Sequence, residues 1–284
     1  MDTQQLIILA LKGAILGTVF GYGLKATVDD LMHLVRRPLL LLRSVLSVLV
    51  IMPVLTVVMV KILDLRMATE AALVALAISP VPPLLPGKQA KAGGHASYAM
   101  GLLIVLALGS IVAIPFTIEI LARVFDRPLA ASPGAIARIV FMMIVAPLAA
   151  GMVVRAWLPG LAARLERPIR LVSTVILVAA ALALLGGSWG AIWRALGGGT
   201  AIALAAFVVC GLAVGHVLGG PQPENATVLA LSTASRHPAI ALSIAAVNFP
   251  SERFVGVVLL YLLIATLVCL PYVAWQRRRS LLAA

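Results

Sequence analysis

The stretch Ala77-Ile-Ser-Pro-Val-Pro-Pro-Leu-Leu-Pro-Gly-Lys88 places four prolines inside an apolar run long enough to cross a membrane. Each proline lacks a backbone N–H and clashes with the preceding turn, so a continuous helix cannot pass through it. Backbone groups freed inside a bilayer must be satisfied by protein or by a water-filled cavity. One proline would indicate an ordinary kink, whereas four within seven residues favour a broken membrane helix on a solute pathway.

A second interruption lies near the other end of the chain, in Leu229-Ala-Leu-Ser-Thr-Ala-Ser-Arg-His-Pro-Ala-Ile-Ala-Leu242. An arginine at the bilayer centre costs about 2.5 to 3.5 kcal/mol on insertion scales, so Arg236 should face a cavity or a partner. Two roles are compatible with it: a ligand for a solute, or a hydrogen-bond donor to loose carbonyls of the first break. Paired interrupted spans are typical of the substrate site in transporters built from inverted repeats.

The composition indicates an all-α polytopic membrane protein, with 62% hydrophobic residues, 11% charged residues and a mean hydropathy of +1.12. The formal net charge of +12 does not indicate nucleic-acid binding, because most of the Lys and Arg residues lie in or beside the connections between apolar spans. There they contact the lipid bilayer and set topology. Cys210 and Cys269 lie within apolar spans, so we expect neither a disulfide nor a metal site from them.

About nine transmembrane helices can be drawn from apolar runs of sufficient length. The predicted spans are residues 6–24, 39–63, 70–93, 97–121, 136–157, 171–187, 200–218, 226–249 and 254–275. A basic loop is expected between the fifth and sixth spans. Gly13, Gly17 and Gly21 recur every four residues in the first span, a spacing that permits close packing against another helix or against a second subunit in a homodimer.

The distribution of basic residues predicts the topology. When residues near a span end are counted with the adjoining connection, alternate connections carry thirteen and seven of the chain's 22 Lys and Arg residues, and Lys12 and Arg236 are left within spans. By the positive-inside rule, the richer set faces the cytoplasm. The chain is therefore expected in the cell's inner (plasma) membrane as a multi-pass protein, with its N-terminus outside and its C-terminus cytoplasmic.

The chain resembles the bile acid:sodium symporter superfamily. The likeness rests on Gly23-Leu24 followed by Thr27-Val-Asp-Asp-Leu31 and Arg37-Pro38, on Met52-Pro53, on Ser79-Pro80 at the first break and on the spacing to Ser232 through Asn248-Phe249. It implies an inverted-repeat fold with two broken, crossing helices and transport of organic anions in a crevice between two domains. Residues 1–38 and 134–190 would form the panel domain, residues 39–133 and 191–276 the core domain, and residues 277–284 a cytoplasmic tail.

The chain departs from the resemblance at the sodium ligands. Sodium-coupled members carry a Cys-Pro-Gly-Gly-x-x-Ser-Asn motif in the first break, where this chain has Leu85-Pro86 in place of the Ser-Asn pair. In the second break, Glu-x-x-x-Gln-Asn is replaced by a segment with Ser232 at the carboxylate position and Arg236 at the amide position. Hard cations need converging oxygen ligands, and an arginine adds repulsion, so we expect no metal and no cofactor.

The leading hypothesis is a secondary transporter of a small organic anion that is not coupled to sodium. Two alternatives remain: a sodium-dependent symporter with non-standard ligands, and a non-transporting membrane sensor or scaffold. An enzyme is not expected, because the spans carry no paired carboxylates or His-x-x-x-His arrangement. The candidate substrate and crossover residues are Ser79, Pro80, Pro82, Pro83, Pro86, Lys88, Lys91, Ser232, Thr233, Ser235, Arg236, His237 and Pro238.

Overall fold

The computed structural model describes residues 3–126 and 128–282, which contain helices and no strand. This confirms the predicted all-α class. The helices are α1 Thr3–Gly23, α2 Val28–Met32, α3 Pro38–Val45, α4 Met52–Ile62, α5 Met67–Ile78, α6 Leu85–Lys91, α7 Ala96–Phe125, α8 Pro133–Val140, α9 Ala146–Trp157, α10 Pro159–Gly187, α11 Trp189–Ala195, α12 Thr200–Leu218, α13 Pro223–Ala234, α14 Pro238–Asn248 and α15 Val255–Leu282.

Seven continuous helical segments in the described residues are long and apolar enough to cross a membrane. Two of them contain a π-helical turn: Leu46–Ile51 joins α3 to α4, and Phe141–Val145 joins α8 to α9. The remaining two predicted spans are the interrupted pairs α5–α6 and α13–α14. The architecture is therefore that of a polytopic membrane protein, while the total of nine spans stays a prediction.

The predicted basic loop before the sixth span is wrong. Only Leu158 separates α9 from α10, and Arg164, Arg167 and Arg170 lie within the first turns of α10. Pro159 begins this helix, a position where proline costs no hydrogen bond. The Arg170 side chain also pairs with Glu166 one turn earlier. Hydropathy marks where a helix leaves the membrane, whereas the backbone can stay helical in water.

The glycine-rich face of α1 packs inside the chain from Gly17 onward, whereas nothing lies within 4 Å of a Cβ at Gly13. A Cβ at Gly17 would meet the side chain of Ser173, and one at Gly21 would lie 2.7 Å from the Arg170 side chain, both on α10. Gly23 faces the backbone of α9 at Leu148. The sequence allowed this face to pack against another helix or against a second subunit. The structure shows it packed against the neighbouring helices α9 and α10.

A second stripe of small residues positions α13, the N-terminal half of the second interrupted span. Gly211 and Gly215 of α12 and Gly219 at its C-cap each lie against a small residue of α13, in order Ala234, Ala230 and Ala226. A Cβ on Gly215 would stand 2.5 Å from the Cα of Ala230, so the two backbones are in direct contact. This packing holds α13 directly against α12, and Arg236 follows two residues after the end of α13.

Candidate site at the helix crossing

The first break is a six-residue segment in which several of the freed carbonyl groups find partners. Helix α5 ends at Ile78, α6 begins at Leu85, and residues 79–84 are not helical. Pro86 falls in the first turn of α6, where proline is tolerated. The Pro82 carbonyl accepts from the Leu85 N–H at 3.1 Å. The carbonyls of Ser79, Pro80 and Leu84 accept hydrogen bonds from distant parts of the chain.

The two breaks touch each other through the backbone. Helix α13 ends at Ala234 and α14 begins at Pro238, so Ser235, Arg236 and His237 form the second break. The His237 N–H donates to the carbonyl of Pro80 at 2.8 Å. The sequence predicted that both spans are interrupted and that the interruptions meet, and the structure shows this arrangement.

Arg236 is completely buried at this contact, with 0% of its surface exposed. One terminal nitrogen donates to the Ser79 carbonyl at 3.2 Å and to the Val48 carbonyl at 3.1 Å, and the other donates to Val48 at 3.2 Å. Its Nε atom is buried without a hydrogen-bond partner. The sequence allowed two roles for Arg236, a ligand for a solute or a hydrogen-bond donor to free carbonyls. The structure shows the second.

The Val48 carbonyl is free to accept because of local sequence. Val48 lies in the π-helical turn, where the Met52 N–H donates to Ser47, five residues back. The residue five positions after Val48 is Pro53, which has no N–H. The guanidinium of Arg236 thus satisfies a carbonyl that the helix itself leaves open.

The backbone of the second break is held by Tyr261 of α15. Its phenol oxygen accepts from the Arg236 N–H at 2.7 Å and donates to the Ala234 carbonyl at 3.0 Å. Tyr261 is 1% exposed, so water does not compete for these groups. One side chain therefore replaces two helical hydrogen bonds that the break removes.

The hydroxyl groups in the last turn of α13, just before the second break, contact other helical segments. Gln89 of α6 donates from its side-chain amide to the Ser232 hydroxyl at 2.7 Å and to the Val228 carbonyl at 2.8 Å. Thr233 donates to the Leu229 carbonyl, so the Ser47 hydroxyl donates to Thr233 at 2.7 Å. Four oxygen atoms at the crossing therefore accept hydrogen bonds from the N–H groups of Arg236 and Gln89: those of Val48, Ser79, Val228 and Ser232.

His237 caps the helix that follows it. Its Nδ1 accepts from the Ile240 N–H at 3.4 Å, which leaves that nitrogen unprotonated. His237 is buried, whereas Ser235 and Pro238 beside it are half-buried. A proton on Nδ1 would remove the cap, because a protonated nitrogen cannot accept.

The remaining predicted residues are divided between the crossing and the surface. Pro83 is buried in the first break and Pro82 is half-buried there. Lys88 and Lys91 lie on α6 with exposed side chains, outside the buried crossing. The structure therefore separates the two lysines from Arg236.

Sequence reasoning missed four contributors to the crossing: Val48, Gln89, Tyr261 and Ser47. The signal for Val48 was present, because Met52-Pro53 is part of the family resemblance and a proline frees carbonyls one turn earlier. Gln89 and Tyr261 carried no such signal. Each is a single polar residue near an apolar run, and its partner lies more than twenty residues away.

The sodium bile acid symporter family model matches residues 14–194, well over half of the chain. The chain belongs to this family. The match includes the first break, the Val48 turn and Gln89, while the second break lies beyond it. This symporter-family member is thus an integral multi-pass membrane protein of a transporter family, and the resemblance drawn from its sequence is confirmed. A comparison with curated proteins finds no match.

Proposed function

We propose that this family member is a secondary transporter of a small organic anion that works without sodium. Arg236 supplies at the helix crossing the positive charge that sodium supplies in relatives. The single observation carrying the proposal is that N–H donors, from Arg236 and Gln89, occupy the oxygen atoms at the crossing. A cation needs those oxygens as ligands, and two donor groups aimed at them exclude it.

The charge balance of the crossing supports this assignment. Helices α5 and α13 both end at the breaks, and helix C-termini carry partial negative charge from their free carbonyls. A guanidinium neutralises that charge permanently, since it does not lose its proton at usable pH. A sodium ion would have to bind and leave in each cycle. The fixed charge removes the need for a coupling ion.

The packing of the helices supports the proposed two-domain arrangement. Helix α1 packs against α9 and α10, while α12 packs against α13 and α15, and α5 against α14. The first group corresponds to the proposed panel domain, residues 1–38 and 134–190, and the second to the proposed core, residues 39–133 and 191–276. We place the anion pathway between them, on the side of the crossing.

Lys88 and Lys91 are proposed to serve the cytoplasmic entrance of this pathway. Both are exposed and stand three positions apart on α6, immediately after the first break. Exposed cations beside a pathway raise the local concentration of anions. The proposed orientation is N-terminus outside, in the inner membrane, which places α6 on the cytoplasmic side.

Uptake into proteoliposomes tests the proposal. A radiolabelled mixture of small carboxylates is offered with sodium, or with potassium or choline at equal ionic strength. Equal uptake in the three media is expected for the native protein. Sodium-stimulated uptake would instead support a symporter with non-standard ligands, and absence of uptake of any anion offered would support a sensor or scaffold.

Two variants connect the result to the crossing. Arg236→Gln should lower uptake in every medium, because the carbonyls of Val48 and Ser79 lose their donors. Adding Ser232→Glu restores a carboxylate at the position where relatives hold one. Sodium dependence that appears only in the double variant would show that Arg236 replaces the ion.

A further inference from the structure

The phenol of Tyr22 bridges α1 and the first break. Its hydroxyl donates to the Leu84 carbonyl at 3.3 Å, and its oxygen accepts from the Gly87 N–H at 3.0 Å. Leu84 is the N-cap residue of α6, and Gly87 lies in its first turn. The phenol therefore acts as both donor and acceptor toward the N-terminal end of α6, and Leu84 lies 62 residues from Tyr22 in the chain.

The bridge joins two separate groups of helices. Tyr22 belongs to α1, whose main neighbours are α9 and α10, whereas α6 packs against α7 and α13. Gly87 is required at this contact, since a Cβ there would lie 2.5 Å from the phenol oxygen. A larger residue at position 87 would push the phenol away.

We propose that Tyr22 is a reversible latch that holds these two helix groups together in one state of the transport cycle. The inference rests on the proposed transport function, in which the two groups move against each other. The Gly87 N–H is one of the first-turn donors that have no intrahelical partner. Water can replace the phenol at such a group when a crevice opens, so the latch can break without leaving a polar group unsatisfied.

Loss of the phenol should therefore shift a conformational equilibrium. Tyr22→Phe keeps the ring and removes both hydrogen bonds. The expected shift toward the separated state is about tenfold, the range that one or two net hydrogen bonds supply. A latch predicts this shift without global unfolding.

Distances between spin labels measure the shift directly. Labels are placed on Lys25→Cys, which follows α1, and on Lys88→Cys of α6, in a Cys210→Ala, Cys269→Ala background. Both lysines are exposed. The native pair should give one dominant distance, and Tyr22→Phe should add a longer population. Tyr272→Phe is the matched control, because its phenol contacts His216 and Ala226 instead and should leave the distribution unchanged.

Gly87→Ala provides an independent variant that displaces the phenol without altering it, and it should add the same longer population. Identical distance distributions in the native protein, Tyr22→Phe and Gly87→Ala would overturn the latch. Failure of the native protein to take up anions, together with a longer population in both variants, would refute the transport function and leave the latch standing.

Discussion

The guanidinium of Arg236 donates to the carbonyl oxygen of Val48 from both terminal nitrogens, at 3.1 and 3.2 Å. The two residues are 188 positions apart. The same guanidinium reaches Ser79 in the first break, so one side chain joins three membrane segments. Since all these groups are buried, no water can take the place of a missing donor.

Replacing this arginine should destabilise the fold. Arg236→Met keeps an unbranched side chain about as long as the arginine stem and leaves the carbonyls of Val48 and Ser79 without donors. Each unsatisfied buried group costs about 1 to 3 kcal/mol, so a loss of about 3 kcal/mol is expected. Thermal unfolding in detergent measures it. Arg253→Gln, an exposed arginine before α15, is the control, and equal melting temperatures for the two variants would contradict the prediction.

Pro53 should be energetically coupled to Arg236. In Pro53→Ala the backbone regains an N–H that can donate to the freed carbonyls of the π-helical turn, Val48 included. The cost of Arg236→Met should then be smaller by about 1 kcal/mol in the Pro53→Ala background. A double-mutant cycle of thermal unfolding measures this coupling. Strictly additive effects would show that Val48 does not depend on the arginine.

The contact between α12 and α13 should not tolerate a methyl group at Gly215. A Cβ there would stand 2.5 Å from the Cα of Ala230, so Gly215→Ala has to separate two backbones. A loss of about 1 to 3 kcal/mol is expected from overpacking. Gly186→Ala in α10 is the matched control, because nothing lies within 4 Å of its Cβ position. Similar melting temperatures for both variants would argue against this close packing.

The two lysines of α6 should influence transport through long-range attraction. Replacing Lys88 and Lys91 together by Gln should lower the initial rate of anion uptake from their side of the membrane at low salt. The difference should shrink at about 0.5 M salt, where screening acts over a few ångströms. Initial rates at two ionic strengths check this. Equal rates for the native and variant proteins at low salt would leave the lysines as topology determinants.

His33 should make stability depend on pH near neutrality. Its ring stacks on His95 at a centroid distance of 4.4 Å, and burial, His95 and Arg37 lower the pKa of His33, while Asp30 opposes them. A lowered pKa means that the folded state binds the proton more weakly than the unfolded state. Stability is then full above the unfolded value of about 6.5 and is lost as the pH falls below it.

The melting temperature should therefore fall between pH 7.5 and pH 5.5 in the native protein, and the fall should be smaller in His33→Gln. Met32→Gln, a change at the neighbouring exposed residue, should keep the native slope. The same pH slope in all three proteins would show that the His33 environment does not drive the effect.

The sequence alone determined the membrane class and the places where two helices break. Proline chemistry is local: Pro80, Pro82 and Pro83 cannot donate, so residues 79–84 leave the helix whatever surrounds them. The N-cap of α2 is equally local, because Thr27 exchanges hydrogen bonds with Asp30, three residues later in the chain. Backbone geometry of this kind depends only on neighbours in the chain.

Only the tertiary structure decided which groups complete the crossing. Gln89 and Tyr261 resemble any polar residue beside an apolar run, and their roles follow from partners on other helices. The sequence also did not predict that α10 continues through Arg164, Arg167 and Arg170, because hydropathy indicates whether a segment contacts lipid or water and not whether its backbone is helical. Pro53 signals that carbonyls one turn earlier are free, but the sequence does not show that Arg236, 188 residues away, donates to the one at Val48. Contacts between segments far apart in the chain depend on how all the helices pack together, and no local sequence pattern specifies that packing.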